Sequence, residues 1–390
     1  MISYFLWTGS PEIFSAGVIS LRWYGLLFAL GFLISQQILY YIYKTEGKPQ
    51  KDVDTLTVYM VVATILGARL GHVIFYQPEI IWQSPLSVLL PFEFSPFRFT
   101  GFQGLASHGG AFGILFALWL YSNYSISFSK KVNEKVRRGF FAEKRSLPGQ
   151  SYLQVLDRIV ILVALTGCLI RLGNFFNSEI IGKPSDSALS VVFVSPLKES
   201  IMKERATQTP VNEVVVKRNE EGQPQGNGRV PMNVYLFFKP GVSQPEAENY
   251  INGELKYYMA NLSEFWDEPF GKEMSYQINP ESDGTLLAKV SSLAVARHPA
   301  QLYESISCLV LFLALFAIWY RSKGDLPPGR IFGIFLIVLW SLRFIYEYLK
   351  ENQVPFEDQL PLNMGQILSI PLILAGVVIL VRSFKKTTLT

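Results

Sequence analysis

Seven apolar runs, each close to the length that crosses a bilayer, constrain this chain more than any other feature. They occupy roughly residues 19–43, 56–76, 107–124, 153–173, 300–320, 331–349 and 363–382. A spanning helix needs about 20 consecutive apolar residues, and these runs are too long and too unbroken to read as strands. A chain that is 49% hydrophobic and 14% aromatic agrees with that reading, since soluble domains of this length rarely carry so much. Cys168 and Cys308 both lie inside apolar runs without a nearby second cysteine, so they read as packing residues. The first arginine is Arg22, which leaves no basic segment of the kind that opens a cleavable signal peptide. The first helix is expected to target itself.

Charge placement sets the expected orientation. Lys44, Lys48 and Lys51 follow the first run, Lys130 through Arg145 the third, and Arg321, Lys323 and Arg330 the fifth. Arg382, Lys385 and Lys386 close the chain, whereas the short loops 77–106 and 350–362 hold little basic charge beyond Arg98 and Lys350. The positive-inside rule then puts the N-terminus outside and the C-terminus in the cytoplasm. The expected fold class is an all-α polytopic membrane protein of seven transmembrane helices, with a small α+β extracytoplasmic domain between helices four and five. Its expected parts are helices one to four over 1–182 with an outward arm at 77–106, a head domain over 183–297, and helices five to seven over 298–390. Within the head, Met232–Phe238, Met274–Ile278 and Leu286–Val295 read as strands and Gln244–Asn261 as an amphipathic helix. The polar stretch 205–228 reads as a flexible loop. No internal repeat of the transporter type is visible.

Four polar constellations fall at the outward half of these spans. Arg171, Asn174 and Asn177 recur every third residue and share one helix face, with Glu179 just beyond. An arginine at such depth needs a partner or a wet cavity, so the stretch is either a polar ligand site or a capped helix end with Arg171 paired to Glu179. Ser107, His108, Gly109 and Gly110 open the third run, where small residues permit close approach. His108 is there either a hydrogen-bonded structural residue or a proton acceptor, a role that imidazole chemistry permits near neutrality. Arg343 and Glu347, four apart, form either a self-neutralising pair or a second guanidinium held for an anion, since arginine's planar fork matches phosphate oxygens. In RHPAQLYE, Arg297 to Glu304, Pro299 suits a first helical turn, and Glu304 either bonds one of the arginines or acts directly. Trp23, Tyr24 and Gly25 read as an interfacial anchor, and Gly67, Arg69, Gly71 and His72 as helix packing with a pairing role.

Together these stretches resemble the bacterial prolipoprotein diacylglyceryl transferases. The resemblance rests on HGG at 108–110, RLGNFFNSE at 171–179, HPAQLYE at 298–304, RFIYE at 343–347, GQILSIP at 365–371 and WYG at 23–25, in the family's order. It covers the seven-span frame and leaves most of 183–296 uncovered. It implies transfer of the diacylglyceryl group of phosphatidylglycerol to the thiol of a lipobox cysteine in a prolipoprotein, with release of glycerol phosphate, by a monomer in the bacterial inner membrane. It implies no metal and no organic cofactor. The family's tyrosine falls on Tyr24, its histidine on His108, and its signature arginine, asparagine, acid and glycine on Arg171, Asn174, Glu179 and Gly182. The second arginine and acid fall on Arg343 and Glu347, and the glutamate of the re-entry motif on Glu304. There are departures: Ser178 stands where the family usually has glycine, and Leu339 where many members have tyrosine.

The expected mechanism has Arg171 and Arg343 clamp the lipid phosphate and His108 take the thiol proton. Asn174, Glu179, Glu304 and Glu347 would orient the arginines, and Tyr24 the head group. A secondary transporter would also carry intramembrane arginines and glutamates, but with interrupted helices in two corresponding halves. A non-catalytic receptor would instead depend on 205–228 and be indifferent to Arg171.

Overall fold

The computed structural model describes residues 4–16, 19–85, 88, 92–94, 97–99, 106–132, 135–145, 147–203, 209–351 and 360–385. In chain order it holds β1 (Phe5–Trp7), β2 (Glu12–Ala16), β3 (Ile19–Arg22), α1 (Trp23–Thr45), α2 (Lys51–Tyr76), α3 (Ile80–Gln83), β4 (Phe92–Phe94) and β5 (Phe97–Phe99). There follow α4 (Ser107–Asn123), β6 (Tyr124–Val132), β7 (Lys135–Lys144), α5 (Tyr152–Phe176), β8 (Val191–Phe193), α6 (Ser195–Lys203), β9 (Val211–Arg218) and β10 (Arg229–Phe238). The chain ends with α7 (Gln244–Tyr250), α8 (Lys256–Asn261), β11 (Ser275–Pro280), β12 (Leu286–Val295), α9 (Ala300–Ser322), α10 (Arg330–Tyr346) and α11 (Met364–Lys385).

Six helices among the described residues are long and apolar enough to cross a membrane, those beginning at Trp23, Lys51, Tyr152, Ala300, Arg330 and Met364. The seventh expected span, α4, has 17 residues. At 1.5 Å per residue it is about 25 Å long, short of a hydrocarbon core of about 30 Å. It stops at Asn123 because Tyr124 takes extended backbone and opens the β6–β7 hairpin. That hairpin occupies the stretch that the sequence reading treats only as a basic loop.

The chain forms two compact units. One comprises residues 1–31, 167–309 and 341–370, the other 32–166, 310–340 and 371–390. The 183–297 insertion falls in the first unit together with chain on both sides of it. In the first unit, β11-β12-β10-β9 form an antiparallel sheet. Val214, Val216, Val230, Met232, Val234, Ala288 and Val290 bury one of its faces. The loop reading of 205–228 is therefore corrected: Val211–Arg218 is a strand, paired with β10 from Val211 to Arg218. Its alternation, with Val214 and Val216 buried beside exposed Glu213 and Lys217, is a period-2 signal hidden between polar flanks. Residues 204–208 lie outside the described residues. Strand β1 pairs in parallel with β8, Phe5 opposite Val191, and ties the N-terminus to the insertion.

In the second unit, α2 and α4 meet on a stripe of glycines. A Cβ on Gly71 would lie 2.7 Å from the Gly109 Cα, one on Gly109 would lie 2.8 Å from the Gly71 Cα, and one on Gly113 would lie 3.1 Å from the Gly67 Cα. Backbone meets backbone there, which only glycine permits. Ala106 N–H donates to the Ala68 carbonyl at 2.9 Å beside the stripe. Elsewhere in this unit Glu46 accepts from buried Arg158 at 2.8 Å, from Trp319 Nε1 at 2.8 Å and from Lys48.

Candidate functional site

Helix α5 runs to Phe176 and then turns sharply. Asn177 N–H donates to the Gly173 carbonyl and Glu179 N–H to the Asn174 carbonyl, both at 3.0 Å, which closes the helix end. Ser178 and Ile180 both have φ of +56°. Left-handed backbone is uncommon for a residue with a side chain, and for β-branched Ile180 it is strained. Ser178 thus occupies the position where the resembling family usually has glycine, in a conformation that favours glycine. Strain of this kind persists where surrounding structure over-determines it, and it marks functional turns.

The turn presents Glu179 to three amides. Asn174 Nδ2 donates to Glu179 Oε2 at 3.2 Å, Asn177 Nδ2 to Oε1 at 3.3 Å, and Gln301 Nε2 to the Glu179 carbonyl at 2.6 Å. Glu179 is not the partner of Arg171. Arg171 Nε instead meets Glu304 Oε2 at 2.5 Å, and Arg171 makes no other hydrogen bond or ion pair among the described residues.

Glu304 is buried, and its other oxygen meets Lys350 Nζ. Lys350, also buried, lies 3.4 Å from Glu347 Oε1, and that same oxygen is 3.8 Å from Arg343 Nε. Asn363 Nδ2 donates to Glu347 Oε2 at 3.2 Å, and Gly365 lets the Glu347 carboxyl lie against the start of α11, where a Cβ would meet its Cδ at 2.6 Å. The result is one alternating row, Arg171, Glu304, Lys350, Glu347 and Arg343, drawn from α5, α9, α10 and the turn that follows α10. Three cations and two carboxylates leave it with a formal charge of +1. Buried carboxylates flanked by cations on both sides hold those cations in place, and the side chains of Arg171 and Arg343 are 23% and 39% exposed.

Two further contacts frame this row. Tyr24 packs on Gly173, where a Cβ would lie 3.0 Å from the Tyr24 Cα, and Trp23 stacks on Phe176 with ring centroids 4.9 Å apart. Gly182 bridges to Lys350, its N–H donates to the His298 carbonyl at 3.0 Å, and a Cβ on it would meet that carbonyl oxygen at 2.6 Å and the Leu349 oxygen at 2.9 Å. Arg297 Nη1 donates to the Gly182 carbonyl at 3.0 Å and to Glu351 Oε1 at 2.7 Å, locking this crossing from the other side. Burial pushes His298 below its ordinary pKa. Gly182→Ala should therefore lower stability by about 1–3 kcal/mol through overpacking, read as a drop in the thermal unfolding temperature of the purified protein. An unchanged temperature would show that the crossing can relax.

Of the residues singled out from sequence, Tyr24, Arg171, Asn174, Glu179, Gly182, Glu304, Arg343 and Glu347 lie within the first unit. His108 belongs to the second, exposed in the first turn of α4 next to Gly109. Arg69 is buried with Nε donating to the Val88 carbonyl at 3.3 Å, and His72 stacks on Tyr76, which fits a packing and pairing role. Leu339 joins the apolar cluster of the second unit. Sequence reasoning missed Lys350 and Asn363 as members of the site. The signal for Lys350 was its spacing of three from Glu347, one helical turn.

A family model described as prolipoprotein diacylglyceryl transferase matches residues 11–133 and 136–382. The match runs through the 183–297 insertion that the short motifs left uncovered. Proteins named phosphatidylglycerol–prolipoprotein diacylglyceryl transferase are similar over nearly the whole chain. The one from Tolumonas auensis is 29% identical over 97% of this chain and 98% of its own length. The one from Bacteroides fragilis is 29% identical over 95% and 92%, and the one from Chloroherpeton thalassium 29% over 99% and 97%.

Proposed function

This chain belongs to the prolipoprotein diacylglyceryl transferase family, and on that premise we propose that it moves the diacylglyceryl group of phosphatidylglycerol onto the lipobox cysteine of prolipoproteins. The alternating row from Arg171 to Arg343 carries this reading. In the reaction a carbon–sulfur bond forms at the diacylglyceryl carbon while the carbon–oxygen bond to phosphate breaks. The thiol loses its proton, and the phosphodiester monoanion becomes a glycerol phosphate monoester with one more negative charge. A preformed cluster of net positive charge stabilises that leaving group more than the bound substrate, which is the condition for a faster chemical step. Arg171 and Arg343 grip the phosphate, and Glu304, Lys350 and Glu347 are positioning residues that fix the two guanidinium groups. Asn174, Asn177 and Gln301 orient Glu179 toward the head group, with Tyr24 beside them. No cofactor enters this scheme.

His108 is the proposed acceptor of the thiol proton, because only the thiolate attacks well and a free thiol has a pKa near 8.5. His108→Gln should lower transfer by about 10²-fold or more and flatten the acidic limb of the pH profile. A normal rate and profile would remove this assignment.

The protein is proposed to act as a monomer in the inner membrane, crossing it seven times with α4 as the short third span, N-terminus outside and C-terminus cytoplasmic. The 183–297 insertion would then face the outside, where lipobox cysteines arrive. The purified protein incubated with phosphatidylglycerol and a lipobox peptide should add one diacylglyceryl mass to the peptide and release glycerol phosphate in equal amount. A peptide of unchanged mass would overturn the reading.

A further inference from the structure

The β6–β7 hairpin belongs to the second unit, and it is the most strongly basic stretch of the chain. From Tyr124 to Arg145 it carries Lys130, Lys131, Lys135, Arg137, Arg138, Lys144 and Arg145 against Glu134 and Glu143. Seven cations less two anions give +5, whereas the whole chain carries +4, so everything outside the hairpin sums to −1. The strands pair Lys130 directly opposite Arg137 and Ser129 opposite Arg138. Like charges opposed across a strand pair destabilise it, and the bulge between Ser127 and Ser129 does not separate them. The hairpin leaves α4 at Asn123 without a linker and returns to α5 within eight residues of Lys144. Arg145 anchors its base, donating to the Tyr121 carbonyl at 3.1 Å and lying over the Tyr121 ring.

We propose that this hairpin is a headgroup-binding element that lies on the anionic bilayer surface, the lipid phosphates supplying counter-charge to its net +5. Polybasic segments directly beside a spanning helix bind anionic lipid through this electrostatic attraction, which salt screens. The inference rests on the membrane embedding of the proposed function and not on its chemistry. The hairpin concentrates anionic lipid around the protein, in a membrane whose proposed substrate lipid is itself anionic.

The test uses the full chain in nanodiscs, which leave both membrane faces open to protease. One set is pure phosphatidylcholine and the other contains 30% phosphatidylserine, an anionic lipid with a different head group from the substrate. Trypsin cleavage at Lys130 to Arg138, followed by mass spectrometry, is expected to be at least 5-fold slower in the phosphatidylserine discs at 50 mM salt. At 500 mM salt the two sets should converge. A single dye on Ser129→Cys should report the same lipid dependence, and lose it when Lys130, Lys131, Arg137 and Arg138 are all changed to Gln. Equal cleavage and equal dye signal in both discs would overturn the proposal, as would protection by soluble polyuridylate with none by anionic lipid. Transfer by the four-fold Gln variant in detergent should match the parent chain, so loss of lipid dependence and loss of chemistry are read separately.

Discussion

Arg171→Ala is expected to lower diacylglyceryl transfer by about 10²–10³-fold, the scale of removing one preorganised charge donor from a developing anion. The substitution takes the alternating row from +1 to neutral and leaves Glu304 with Lys350 as its remaining partner. Arg343→Ala should act similarly, because it removes the other end of the row while Lys350 and Asn363 continue to hold Glu347. Arg171→Lys keeps the charge but loses the fork that engages two oxygens at once, so it should fall between the parent and the alanine variant. Glycerol phosphate release by purified variants, with phosphatidylglycerol and a lipobox peptide both saturating, measures this. Undiminished release from either alanine variant would end the phosphate-clamp assignment.

Gly109→Ala should be the most destabilising single methyl in the second unit. Its Cβ would fall 2.8 Å from the Gly71 Cα and closer still to the Gly67 carbonyl oxygen, so α2 and α4 must move apart. Overpacking of this kind costs about 1–3 kcal/mol, and backbone atoms cannot swing aside as a side chain can. The thermal unfolding temperature in detergent should drop by several degrees. Gly67→Ala should do the same, and the two together should cost less than their sum, because the first substitution already opens the gap that the second needs. A fully additive pair would mean that the helices are not in contact at this stripe. Since His108 immediately precedes Gly109, both variants should also lose transfer activity beyond their loss of folded protein.

The spanning helices were legible because length and hydrophobicity alone specify them. The apolar run at 153–173 becomes Tyr152–Phe176 and the run at 300–320 becomes Ala300–Ser322. Strand β9 was not legible in the same way. Its buried valines alternate with charges over only eight residues, between NEEGQPQGNG and the polar residues before it, so average composition outweighed period. The site was legible as a set of residues and only partly as a set of bonds. The sequence offers Arg171 two acids, Glu179 eight residues on and Glu304 across the insertion, and spacing alone does not choose between them. The fold gives Arg171 to Glu304, keeps Arg343 beside Glu347, and turns Glu179 toward three amides. Lys350 stayed hidden because a lysine at a helix end is usually a solvated one; its burial depends on the Gly182 crossing, which local sequence does not show.

The row of charges is assembled from residues far apart in synthesis. Glu304 leaves the ribosome 133 residues after Arg171, and Lys350 a further 46 after that. Until Glu304 is made, Arg171 sits on a hydrophobic helix with neither carboxylate of the row present. A chain released before its last two spans would hold Arg171 and Glu304 without Arg343, Glu347 and Lys350, and so only the first pair of the row. Assembly of the whole row is thereby tied to synthesis through Lys350, late in the polypeptide.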